Sequence, residues 1–82
     1  MAPENVSDVR TRSEFVGFVR SLAKDAHSAS ERWENDTLPR YLLALAAWVE
    51  DMDGYYQGRG EPVLEIPWTS VAEMLIAARV YE

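Results

Sequence analysis

Leu38-Pro39-Arg40-Tyr41-Leu42-Leu43-Ala44-Leu45-Ala46-Ala47-Trp48-Val49-Glu50-Asp51-Met52-Asp53 is the stretch whose reading decides the fold. Leu38, Tyr41, Leu42, Leu45, Trp48, Val49 and Met52 keep helical spacing without a break. Such spacing gathers apolar side chains on one face of a helix. Ala44, Ala46 and Ala47 favour helix and let neighbours approach closely. Asp36 or Thr37 can cap the start, and Pro39 falls in the first turn, where a missing N–H does no harm. Gly54 then stands where a left-handed residue would end the helix. The pattern predicts a helix over 37–53 and makes it the central element.

Two further helices flank it. Phe15, Val16, Phe18, Val19, Leu22, Ala23 and Ala26 form a second apolar stripe, which predicts a helix over 13–27. Ser13 is the expected N-cap, with Glu14 in the first turn to suit the helix dipole. Gly17 inside this stripe costs roughly 1 kcal/mol against alanine and would allow another helix to approach. Toward the C-terminus, Ser70-Val71-Ala72-Glu73 has the spacing of a capping box. Val71, Met74, Leu75 and Ala78 continue the helical pattern, so a helix is expected over 68–81. Residues 1–12 read as a polar arm or a short turn. Residues 28–36 read as a connector in which Trp33 folds back over the core, its indole N–H bonded to a carbonyl or water. Gly54, Gly58, Gly60, Pro62 and Pro67 mark a glycine- and proline-rich loop from 54 to 67. Val63, Leu64 and Ile66 could form a short extended piece before Pro67. The expected fold is all-α: a small three-helix, bundle-like domain over 13–82, preceded by the arm at 1–12.

Composition narrows the function classes. At 82 residues there is room for one domain, burying only roughly 60–65% of its unfolded surface. The apolar fraction of 48% is that of a globular chain. The absence of cysteine excludes disulfides, thiolate metal sites and cysteine nucleophiles. The first residues carry no basic region and no apolar run, so no signal peptide is expected. No apolar stretch reaches the roughly 20 residues that span a bilayer. A cytoplasmic location is the expectation.

The net charge of −6 is unevenly spread. Through Tyr41 there are seven acids against six bases; from Leu42 onward, seven acids against Arg59 and Arg79. The second half therefore carries nearly all of the excess. One lysine and scattered arginines do not make a nucleic-acid surface, and anionic membranes repel such a chain. A partner recognised by charge would be basic.

Glu50-Asp51-Met52-Asp53-Gly54-Tyr55-Tyr56-Gln57-Gly58-Arg59-Gly60-Glu61 is the segment whose residues exceed what a core needs. As a metal site it fails. Aligned on Gly54, a calcium loop would place Val49 first and Gly60 twelfth, where acids belong. As a catalytic site it has Glu50, Asp51 and Asp53 for acid–base chemistry, but a small helical domain offers little burial to shift their pKa values. His27, the only histidine, stands at a helix end and reads as structural or exposed. No serine sits in a nucleophile elbow. No catalytic residue, metal ligand or cofactor is assigned.

What remains is a binding surface. Tyrosine and tryptophan supply large, rigid area with a polar tip. Asp51, Asp53, Tyr55, Tyr56 and Arg59, with Trp33, are the candidate binding residues. Acids at a helix C-terminus oppose the dipole, so placing three of them there points to recognition rather than stability. The expected function is a non-catalytic protein-interaction module, monomeric or weakly dimeric, that presents this acidic loop to a basic partner. One concrete form is an immunity- or antitoxin-like protein that neutralises a cationic toxin. The alternative is a small metal-dependent or carboxylate-based enzyme or accessory protein.

Trp33-Glu34-Asn35, Thr37-Leu38, Leu42-x-x-Leu45-x-Ala47-Trp48, Asp53-Gly54-Tyr55-Tyr56, Pro67-Trp68 and Ala77-Ala78-x-x-Tyr81-Glu82 occur in that order. Together they resemble a family of small, mostly bacterial proteins known only as a domain of unknown function. The resemblance runs from Phe15 to Glu82. It lends no catalytic residues, and it implies that these aromatic ends belong to one pattern.

Overall fold

A computed structural model describes residues 5–62 and 65–81. The described residues are all-helical, with three α-helices and no strand: α1 (Arg12–Ser28), α2 (Leu38–Gly58) and α3 (Trp68–Ala77). Short 3-10 turns stand at Val6–Asp8 and Ser30–Arg32. The all-α class and the three helices are as the sequence predicts. The expected extended piece at Val63 and Leu64 lies outside the described residues. No helix among them is long and apolar enough to cross a membrane. The chain divides into two compact units, one through Val49 and one from Glu50, with the boundary inside α2.

In the first unit, α1 begins one residue earlier than expected, and its cap lies two residues earlier. Its cap is Thr11, not Ser13. The Thr11 hydroxyl accepts the Glu14 N–H at 3.1 Å, and the Glu14 carboxylate accepts from the Thr11 N–H at 2.9 Å and the Arg10 N–H at 2.8 Å. This reciprocal box satisfies donors that a bare helix start leaves orphaned. Ser13 cannot match it, because only a residue three before Glu14 exchanges bonds with it. Gly17 faces open space, with nothing within 4 Å of an added Cβ, so it marks no close helix approach. Thr37 starts α2: its hydroxyl accepts from the Arg40 N–H at 3.3 Å and its carbonyl from Tyr41 at 2.9 Å. Asp36 instead pairs with Arg40 one turn on, at 3.4 Å.

In the second unit, α2 does not stop at Gly54. It runs on to Gly58, so the opening of the predicted loop, from Gly54 to Gly58, is helix. The left-handed glycine is Gly60, with φ 71°. The Glu61 N–H donates to the Tyr56 carbonyl at 2.9 Å and the Gly60 N–H to the Gln57 carbonyl at 3.0 Å. Those two bonds are the Schellman closure, which requires a positive φ between them. Gly54 has helical neighbours on both sides and no such closure. Helix α3 starts after Pro67 without a side-chain cap, so the Ser70–Glu73 box does not form. The Val71 N–H already bonds the Pro67 carbonyl at 3.2 Å, which places Ser70 inside the first turn. At its other end α3 tightens: the Arg79 and Val80 N–H groups bond the Ile76 and Ala77 carbonyls, each at 3.2 Å. It therefore stops at Ala77 rather than reaching Tyr81.

Candidate functional site

Two clusters of polar and aromatic side chains stand out, one in each unit. In the first, Asp25 is the buried acid of α1, with its side chain 13% exposed. It accepts the Trp33 indole N–H at 2.9 Å on one oxygen and Arg32 Nη2 at 3.0 Å on the other. The 3-10 turn at Ser30–Arg32 reverses the chain so that both donors reach it. Trp33 does fold back, as expected, but its acceptor is a carboxylate rather than a carbonyl or water. Its ring lies 5.8 Å from that of Tyr41, tilted by 30°. The two rings, with Val19, Leu22, Ala26 and Leu38, line an open apolar groove of about 350 Å³. Asp25 was not singled out in the sequence. The signal was there: it sits three residues after Leu22, on the shoulder of the apolar stripe, where a solvated acid has no reason to be.

The second cluster occupies the end of α2. Asp51, Tyr55 and Arg59 are spaced by four and share one face. Arg59 Nη1 donates to the Tyr55 hydroxyl at 2.6 Å, and its Cζ lies 5.4 Å from the Tyr55 ring centroid. Arg59 Nη2 stands 3.6 Å from Glu61. The Tyr55 hydroxyl first, and the Glu61 carboxylate after it, raise the Arg59 pKa above its ordinary value. The Tyr56 ring meets Tyr55 edge-on, with centroids 5.0 Å apart and planes at 86°. Tyr55 is 44% exposed and Tyr56 half-buried.

Five of the six candidate binding residues therefore belong to the second unit, and Trp33 is placed in the first by Asp25 and Tyr41. Among the five, the helix brings Asp51, Tyr55 and Arg59 to one side and turns Asp53 away. Two residues along α2 is a rotation of roughly 200°, so Asp51 and Asp53 point about 160° apart. They are exposed, separate carboxylates rather than a pair. Among the described residues no group of three or more acids, histidines or cysteines is arranged to hold a metal. With α2 ending at Gly58, Asp51 and Asp53 lie before its last turn, beyond the reach of the terminal partial charge. Their placement carries no electrostatic penalty to explain.

The fold and these clusters define a small acidic helical domain with an ordered tyrosine–arginine surface and no assigned chemistry. Residues 11–82 match the model of a family of unknown function, DUF7660, and the chain belongs to that family. No curated protein and no solved structure matches it.

Proposed function

We propose that this protein is a non-catalytic interaction module that binds a basic protein partner through the Asp51–Tyr55 face of α2. It acts without a cofactor, in the cytoplasm, as a monomer or weak dimer. The observation that carries this reading is the state of Tyr55. It is exposed on a helix, and its ring is braced edge-on by Tyr56. A tyrosine fixed in this way presents area to a partner at little entropic cost. Asp51 stands one turn before it, and the surrounding half of the chain is strongly acidic, so the complementary partner is cationic. The recognition element is then a helix face, not a loop.

The test is affinity capture from the native host with wild type and a Tyr55→Ala/Tyr56→Ala variant. A basic protein should be retained by wild type, released as salt rises, and lost by the double variant while its helical circular dichroism persists. Retention by the double variant would refute the reading. Loss of helicity in that variant would show that the tyrosines serve the core instead.

A further inference from the structure

We propose that Tyr55 and Glu61 form a guanidinium site that Arg59 fills in cis, and that an arginine of the basic partner takes Arg59's place. This rests on the interaction-module reading and names the group recognised.

The site offers three things a guanidinium uses. A phenol oxygen accepts from Nη1 at 2.6 Å, an aromatic ring lies 5.4 Å from Cζ, and a carboxylate stands 3.6 Å from Nη2. A planar fork of donors over a ring suits arginine and not the compact ammonium of lysine. The backbone assembles the site. The left-handed Gly60 reverses the chain, and the Glu61 N–H closes on the Tyr56 carbonyl at 2.9 Å, which returns the Glu61 side chain to the end of α2. Tyr56 braces the Tyr55 ring from the side.

The cis occupant is also easily displaced. The Arg59 and Glu61 side chains are 55% and 46% exposed, and ion pairs this open to solvent are weak. Arg59 is the single base between Arg40 and Arg79. Without it nothing basic in the sequence nearby competes for Tyr55 and Glu61. Arg59 thus sets a threshold: a partner binds only if its own arginine does better than the resident one.

The experiment measures binding of acetylated hexa-arginine and hexa-lysine peptides to the full chain at low salt. Arg59→Ala, with Arg59→Gln as a second variant, should tighten hexa-arginine by roughly two- to five-fold, the scale of an exposed pair. Hexa-lysine should gain less. Arg79→Ala removes the same charge outside the site and should give less than Arg59→Ala. Adding Tyr55→Leu to Arg59→Ala, which removes both ring and hydroxyl, should cancel the preference for arginine over lysine. If the wild type binds but Arg59→Ala gains no more than Arg79→Ala, or both peptides gain equally, the cis-site inference falls while the acidic surface stands. If neither peptide binds the wild type or Arg59→Ala, the interaction reading falls with it.

Discussion

The indole N–H of Trp33 donates to Asp25 Oδ2 at 2.9 Å, tying the connector after α1 back onto the helix it has just left. The same carboxylate holds Arg32 at 3.0 Å, so one buried acid fixes both donors of the turn. Removing it leaves a half-buried indole N–H without its acceptor and frees Arg32. Asp25→Ala should cost about 2–3 kcal/mol, the scale of a lost charged acceptor. Asp25→Asn, which keeps an oxygen for one donor, should cost less. Arg32→Ala should cost under about 1 kcal/mol, because Arg32 itself is mostly solvated. Urea denaturation followed by tryptophan fluorescence ranks the three.

The three glycines around the end of α2 should respond differently to alanine. Gly54 and Gly58 have helical backbone and nothing within 4 Å of an added Cβ. Alanine at either should stabilise by about 0.5–1 kcal/mol, since glycine is the poorer helix former. Gly60 has φ 71°, and alanine there should destabilise by about 1 kcal/mol. Thermal melts of the three single variants check this ordering. A destabilised Gly54→Ala would return the helix end to Gly54.

The capping box sets the start of α1. Thr11→Ala should cost about 1 kcal/mol, as loss of an N-cap hydroxyl usually does, and Ser13→Ala should be near neutral. Circular dichroism with chemical denaturation separates the two.

Glu14 links that box to pH. The Arg10 N–H first, and the Thr11 N–H and hydroxyl with it, hold its carboxyl below the ordinary value of 4.5. A depressed carboxyl stabilises the folded state when ionised. Its contribution is complete above the ordinary value and is lost as pH falls through the lowered one. Glu14→Gln and wild type should therefore differ in stability at neutral pH and converge in acid. A constant difference down to strongly acidic pH would count against the box. This exposed group gives a shallow dependence.

Met52 is the most buried apolar side chain among the described residues, at 6% exposure. Met52→Ala should cost about 2 kcal/mol or more through lost contacts and the cavity left behind. Leu43→Ala, at a position 73% exposed, should be nearly silent. Paired denaturation curves give the comparison.

The three helices were legible because their signal is local. Apolar spacing from Leu38 to Met52 specifies a helical face whatever surrounds it. Their ends were not. Gly54, Gly58 and Gly60 are chemically identical, and composition cannot say which one takes a positive φ. That choice is made where the Glu61 and Gly60 N–H groups find the Tyr56 and Gln57 carbonyls. The same limit moved the cap of α1 from Ser13 to Thr11, because the cap is the residue that can exchange bonds with Glu14. The candidate site changed accordingly: a helical Tyr55 faces Arg59 and Asp51, where a loop would have left all three unrelated.

The sequence by itself determined an all-helical, cysteine-free, acidic chain whose second half holds nearly all the net charge, and it marked the tyrosine-bearing segment. These properties follow from residue type and short-range spacing, which need no partner to express them. Only the tertiary structure decided that Asp25 is the acid Trp33 and Arg32 share, and that Arg59 turns onto Tyr55 and Glu61. Each depends on where a backbone turn aims a side chain, and a turn is fixed by hydrogen bonds between groups that every residue carries alike.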